Sequence, residues 1–173
     1  EAVDALLDSD VIQAVGFVGS TPIAQYIYER AAQTGKRAQC FGGAKNHMII
    51  MPDADLDAAV EGLMDGAMFN SGQCCCGIER IYVHDSLYDA FVEKAVTWTK
   101  ALTLGDPLDP ATTLGPMAHA RFAQTVRDQV AEAVAQGARA LIDPSAFPQD
   151  DGGAYLAPQV LVDVDHSMRV MVE

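Results

Sequence analysis

Residues 68–80 read Met-Phe-Asn-Ser-Gly-Gln-Cys-Cys-Cys-Gly-Ile-Glu-Arg: three consecutive thiols between two glycines, ahead of the apolar run Ile81-Tyr82-Val83. A thiol on a glycine-bounded loop before a strand is well placed for nucleophilic attack. Gly72 and Gly77 let the backbone turn sharply and let a substrate come close. The thiolate is the reactive form, so the site needs backbone N–H groups, a helix end or a cation nearby. The competing reading is structural, because free cysteine often packs as a small apolar residue. A second candidate is Gly19-Ser20-Thr21, between the apolar run Ala14–Val18 and Pro22. A strand, a glycine turn and a helix N-terminus offer free N–H groups and a helix dipole to an anion. An ordinary capped helix after a strand has the same pattern. The third is Cys-Phe-Gly-Gly-Ala-Lys-Asn-His at 40–47, where Gly42-Gly43 reads locally as a tight turn and Lys45 and His47 as solvated loop residues.

The elements that must carry these residues alternate short apolar runs with longer amphipathic ones, an α/β pattern. Strands are expected at 14–18, 37–41, 47–51, 80–84 and 138–142, with a further extended segment at 156–164. Thr21 as N-cap with Pro22 in the first turn starts a helix. Its stripe is Ile23, Ile27 and Ala31, and Gly35 ends it. Asp53 or Asp55 caps a helix to about Phe69, and Ser86 caps another to about Leu102. Residues 105–116 form a turn-rich loop. Phe122, Val126, Val130 and Val134 line one face of a helix that Gly137 closes.

The chain has 173 residues, enough for one ordinary domain with a real core, and a net charge of −13. That acidity argues against nucleic acid and anionic membrane surfaces as partners, because both need basic patches. No run of about 18 apolar residues is present to span a membrane. The four cysteines, Cys40 and Cys74–Cys76, form neither a disulfide framework nor zinc-ligand spacing, so no metal is expected. Free thiols fit a reducing compartment, and a cytoplasmic location is expected. The chain opens on Glu1 rather than Met and reads as an internal piece of a longer protein.

Phe69, Asn70, Gly72, Gln73 and the thiol at 75 match in order the active-site segment of the aldehyde dehydrogenase superfamily, which the chain therefore resembles. Phe17–Thr21, Met51-Pro52-Asp53-Ala54-Asp55-Leu56, Leu114-Gly115-Pro116 and Tyr155–Pro158 are similar to further family segments. The resemblance covers nearly the whole chain but about a third of a typical family subunit. It implies an aldehyde-dehydrogenase-like α/β fold. Residues 1–42 would be the end of the NAD(P)-binding domain and 43–173 part of the catalytic domain. It implies Cys75 as the nucleophile on a small-molecule aldehyde. The thiohemiacetal would give hydride to NAD or NADP and become a thioester. The Cys75 N–H and an upstream family Asn would hold the oxyanion. Phe17, Gly19, Ser20, Ile23 and Gly43 would contact the dinucleotide, and the parent would be a homo-oligomer. Cys74 and Cys76 read as packing residues; the alternative is a redox role in which one traps the reactive thiol as a disulfide, against which stands the strain of a disulfide between adjacent cysteines.

Residues 40–47 depart from the family pattern. Aligning Lys45 with the family lysine puts Phe41 where the general-base Glu stands, 34 residues before Cys75. Phenylalanine accepts no proton, so hydrolysis needs another base or the acyl acceptor is coenzyme A. Gly43-Ala44-Lys45-Asn46-His47 resembles the coenzyme-A-acylating methylmalonate-semialdehyde dehydrogenases. Cys74–Arg80 instead resembles the members that keep the Glu. The family's Glu-x-Phe-Gly-Pro cofactor motif is not in the 173 residues, so the chain alone is expected to be inactive. A non-catalytic oligomerisation module with the same fold is the alternative.

Overall fold

Strand-forming runs joined by capped helices produce two strand–helix–strand crossovers, one in each of two units. The computed structural model describes residues 1–173 and divides them into Glu1–Ala44 and Lys45–Glu173. This division falls two residues beyond the 42/43 boundary expected from sequence. The Gly43 N–H donates to Thr21 Oγ1 at 2.9 Å and so holds the glycine turn on the first unit.

In the first unit, helix α1 (Ala2–Asp8) precedes strand β1 (Ala14–Val18), helix α2 (Thr21–Gln33) and strand β2 (Arg37–Phe41). The two strands pair in parallel, from Ala14 opposite Arg37 to Val18 opposite Phe41. Leu7, Ile27 and Ala31 form the core, with Val15, Phe17, Ala38 and Cys40 against them. The buried stripe of α2 is Ala24, Ile27 and Ala31, while Ile23 is 48% exposed, which corrects the expected stripe. The N-cap is Ser20, one residue earlier than expected, because Thr21 has turned helical and its hydroxyl serves Gly43. Gly35 ends the helix with φ +68°, where a Cβ would be strained. Helix α1 has no side-chain cap, and no sequence signal marks it. Arg30 donates to both Asp8 carboxylate oxygens and ties α1 to α2.

The second unit opens with strand β3 (His47–Ile50), helix α3 (Leu56–Met68), strand β4 (Arg80–Val83) and helix α4 (Asp85–Lys100). Strands β3 and β4 are parallel, with His47 opposite Arg80. Ile50, Val60, Leu63, Met64, Phe91 and Ala95 make the core under this crossover. Asp55 caps α3 by accepting the Asp57 and Ala58 N–H groups at 3.1 Å. His84, not Ser86, caps α4, its ring nitrogen accepting the Ser86 N–H. The bend at 105–116 is closed by a bridge between Leu104 and Leu114.

Helix α5 (Ala120–Ala135), capped by His119, leads to strand β5 (Arg139–Ala140), strand β6 (Leu161–Val162) and helix α6 (Arg169–Val172). Strands β5 and β6 are antiparallel and shorter than the sequence suggests. The face of α5 also differs: Ala123 and Ala133 are buried, whereas Phe122 and Val134 are 43% and 45% exposed. A strict i+4 row drifts about 40° per step around the helix, so its two ends leave the packed side. No helix is long and apolar enough to cross a membrane.

One ion pair fixes the return from α5. Arg127 Nη2 donates to Asp150 Oδ1 at 2.6 Å, to the Tyr155 carbonyl at 2.6 Å and to the Gly153 carbonyl at 3.1 Å. Burial pushes the Asp150 pKa up, but donation from the Ala157 N–H, Arg127 and the Gly152 N–H outweighs it, and the net shift is downward. A lowered folded pKa stabilises the fold above the ordinary carboxylate value. That gain is lost as pH falls through the lowered one. Arg127→Met is expected to cost about 2–3 kcal/mol in urea unfolding at neutral pH, since it takes the counter-charge from a largely buried carboxylate and the donor from the Gly153 and Tyr155 carbonyls. A loss under about 0.5 kcal/mol, the range of ordinary surface changes, would show that the turn stands without the pair.

Candidate functional site

The cysteine loop begins with an unusual backbone. Asn70, Ser71 and Gly72 follow one another at φ +51°, +57° and +74°. The left-handed conformation suits glycine but costs a side-chain-bearing residue roughly 1–2 kcal/mol. Hydrogen bonds hold the chain there. Ser71 Oγ donates to the Gly115 carbonyl at 2.7 Å, and Gln73 Oε1 accepts the Ala118 N–H at 2.8 Å. Gln73 Nε2 donates to the Asn70 carbonyl at 3.1 Å. The Leu114-Gly115-Pro116 segment is thus the anchor of the thiol loop.

The other side of the loop is gripped by Asn46. Its Nδ2 donates to the Cys75 carbonyl at 2.8 Å and to the Gly77 carbonyl at 2.9 Å. Its own carbonyl accepts the N–H groups of Glu79 and Arg80. Both amide functions of one side chain and backbone therefore fix the path from the thiols into β4. Sequence reading gave Asn46 no role. The signal was its place in Gly-Ala-Lys-Asn-His, but only the fold brings that turn against residues 75–80. Lys45, expected to be solvated, is 14% exposed at its side chain and pairs with Glu79 at 3.3 Å. His47 stays on the exposed face of β3, edge-on to Tyr82.

Asn46→Ala removes both donors to the loop. Amide hydrogen exchange at Gly77 and Ile78 is expected to speed up about 10-fold, the equivalent of one to two net hydrogen bonds. Unchanged protection there, with the global unfolding midpoint also unchanged, would show that Asn46 does not set the loop.

Within the loop, the Gly77 N–H donates to the Cys74 carbonyl at 3.0 Å, closing a turn with Cys75 and Cys76 in its middle. Cys75 and Cys76 are exposed and Cys74 is half-buried. The Cys75 sulfur is therefore not walled in, and the Cys75 N–H makes no hydrogen bond within the protein. An exposed thiol with its own free N–H has the parts for attack on a carbonyl and for holding the resulting oxyanion. The Cys74 thiol titrates below an ordinary cysteine, chiefly because the Cys76 backbone N–H and then the Cys76 thiol donate to its sulfur. The Cys76 thiol titrates above one, because it donates to Cys74 and feels the charge of that thiolate. The thiol with the lowered pKa is thus next to Cys75, the position at which the motif places the expected nucleophile. A cleft of about 720 Å³ lies behind the loop, lined by Phe69, Asn70, Ser71, Trp98, Pro107 and Gly115. Cys75 is not part of its wall.

The first unit holds the other expected site residues. Gly19, Ser20 and Ile23 are exposed at the start of α2, and Phe17 is half-buried on the core. The Phe17 ring lies over Gly19 so closely that a Cβ there would come within 2.5 Å of it. The Gly19 N–H is taken by the Phe41 carbonyl at 3.1 Å, and Pro22 has none. Ser20 and Thr21 carry the N–H groups left free at this helix end. The Gly43 N–H is used by Thr21 Oγ1, and a Cβ at Gly42 would come within 3.0 Å of the Thr21 Cα. Gly42 is therefore required for close packing on α2, while a Cβ at Gly43 would meet only Thr21 Oγ1, at 3.3 Å. The donor set suits phosphate oxygens through one or two N–H groups and the helix dipole, rather than through a glycine-rich cradle.

Comparison with known proteins covers the whole chain. The description "Aldehyde dehydrogenase family" matches residues 1–173. The malonate-semialdehyde dehydrogenase of Pseudomonas aeruginosa is 44% identical over 176 residues, spanning 100% of this chain and 35% of that protein. That of Bacillus cytotoxicus is 34% identical over 171 residues, spanning 98% of this chain and 35% of that protein. Among solved structures, methylmalonate-semialdehyde dehydrogenase (DddC) from Oceanimonas doudoroffii superposes with a TM-score of 0.91 at 38% identity. The match covers 99% of this chain and 36% of that one. A methylmalonate-semialdehyde dehydrogenase from Sinorhizobium meliloti, complexed with NAD, gives 0.90 at 39% identity, covering 98% and 35%. The chain spans about a third of the length of the relatives it matches.

Proposed function

Because the chain belongs to the aldehyde dehydrogenase family, we propose that it is the nucleophile-bearing part of an NAD(P)-dependent enzyme that oxidises a semialdehyde. The observation that carries this is an exposed Cys75 on a loop held by Asn46, Ser71 and Gln73, with the Cys75 N–H free. Cys75 Sγ, as the thiolate, forms a bond to the aldehyde carbon. The oxygen gains negative charge, and the Cys75 N–H donates to it. The three left-handed residues and their tethers fix that N–H before substrate arrives, so little reorganisation is needed during reaction. The bound nicotinamide dinucleotide would supply the hydride acceptor, and the free N–H groups of Ser20 and Thr21 would meet its diphosphate oxygens. Cys75 then carries a thioester.

The acceptor for that acyl group is proposed to be coenzyme A rather than water, because the aligned base position holds Phe41. The names of the relatives support a carboxylate-bearing semialdehyde as the substrate class. A homo-oligomeric, cytoplasmic parent is part of the same reading. The test is nicotinamide reduction by a full-length protein carrying residues 1–173, with malonate semialdehyde and coenzyme A supplied. The expected result is sustained absorbance at the reduced-cofactor band that depends on aldehyde and on Cys75. A full-length protein that folds but shows no aldehyde-dependent reduction, and whose Cys75 reacts with iodoacetamide no faster than free cysteine, would favour the non-catalytic module.

A further inference from the structure

The family chemistry uses one thiol of the three, and the flanking pair is left over. Cys74 Sγ and Cys76 Sγ stand 3.2 Å apart, within hydrogen-bond reach of one another. The turn closed by the Gly77 N–H brings these two side chains together and leaves Cys75 between them. Cys76 is exposed, and Cys74 is half-buried beside it, so a small oxidant can reach the pair. We propose that Cys74 and Cys76 are an oxidisable dithiol that closes reversibly to a disulfide around Cys75. This inference does not rest on the aldehyde chemistry.

The electrostatics supply the two roles that thiol–disulfide exchange requires. Attack is made by a thiolate, and resolution by a neighbouring thiol that can lose its proton in turn. The Cys76 N–H stabilises Cys74 as the anion, while Cys76 is held as the thiol. The oxidant is a small disulfide such as oxidised glutathione. Cys74 S⁻ forms a bond to one glutathione sulfur, the glutathione S–S bond breaks, and one glutathione thiolate leaves. Cys76 gives up its proton and bonds to the Cys74 sulfur, and the mixed disulfide breaks to release the second glutathione. The two protein sulfurs lose two electrons in all, and the oxidised glutathione is reduced to two glutathione thiols or thiolates. A pair separated by one residue avoids the strain of a disulfide between adjacent cysteines, which is why the partner is Cys76 and not Cys75.

The experiment uses the 173-residue chain and needs no cofactor or aldehyde. The reduced protein is incubated with oxidised glutathione, quenched in acid and counted for free thiols under denaturing conditions, with intact mass in parallel. Of the four cysteines, two are expected to be lost with no glutathione retained, and dithiothreitol should restore both. Cys75→Ser is expected to give the same loss of two. Cys74→Ser and Cys76→Ser are each expected to form no internal disulfide. Loss of the bond in Cys75→Ser with its survival in Cys76→Ser would overturn the assignment. So would a stable glutathione adduct on the wild-type chain, or no oxidation at all. Circular dichroism of each serine variant checks that the fold is kept.

Discussion

Cys75→Ser in a full-length protein carrying this segment is expected to lower kcat for aldehyde oxidation by about 10⁴-fold, the scale of losing a covalent nucleophile. The same change at Cys74 or Cys76 is expected to lower it by less than about 10-fold. The contrast is informative because acidity and position point to different sulfurs. Cys74 is the thiol whose anion is favoured by a neighbouring N–H. Cys75 is exposed, as Cys76 is, and in addition carries a free N–H and has its carbonyl locked by Asn46. A nucleophile held as a stabilised anion by other donors is less nucleophilic, since reactivity falls with pKa. An oxyanion also needs a donor close to the carbon under attack, and in the proposed reaction the backbone N–H of Cys75 would supply it. Mapping the trapped acyl group by mass spectrometry should place it on residue 75. An acyl group on residue 74, with Cys74→Ser as the inactive variant, would transfer the catalytic role.

Phe41→Glu is expected to raise aldehyde turnover without coenzyme A by about 10²-fold or more, the usual return from a placed general base. With Phe41 in place, the full-length protein should release one equivalent of reduced cofactor and then stall as the acyl-enzyme until coenzyme A is added. Phe41 ends β2, is 54% exposed, and gives its carbonyl to the Gly19 N–H. The side chain can therefore be exchanged without opening the core formed by Leu7, Ile27 and Ala31. Rapid multiple turnover of the unmodified protein in the absence of coenzyme A would remove the reason for assigning it as the acceptor. An unchanged rate in Phe41→Glu would show that residue 41 does not face the thioester.

Much of the fold was legible because its signals are local. Pro22 in a first turn, Asp55 as a cap, and Gly35 and Gly137 at positive φ each act within about one helical turn, so the sequence shows them directly. Strands at 14–18 and 37–41 fall where the sequence predicts them. Faces were less legible. Ala24 and Ala123 take buried places that Ile23 and Phe122 were expected to fill. Close approach of neighbouring elements selects the small residue, and nothing within the helix encodes that approach.

The site divides along the same line. Sequence alone determined which residue types are present and in what order: a thiol triplet behind Phe-Asn-Ser-Gly-Gln, a glycine turn before a proline-started helix, and phenylalanine where a carboxylate was expected. Tertiary structure decided what holds the thiols and what they can do. Ser71 reaches Gly115 across 44 residues, Gln73 reaches Ala118 across 45, and Asn46 reaches Cys75 across 29. Such contacts form only after the intervening chain has folded, and hydrogen-bond direction depends on distances that spacing along a sequence does not carry. The 3.2 Å approach of Cys74 to Cys76 is of the same kind. It follows from the turn that the Gly77 N–H closes, not from the order of the residues.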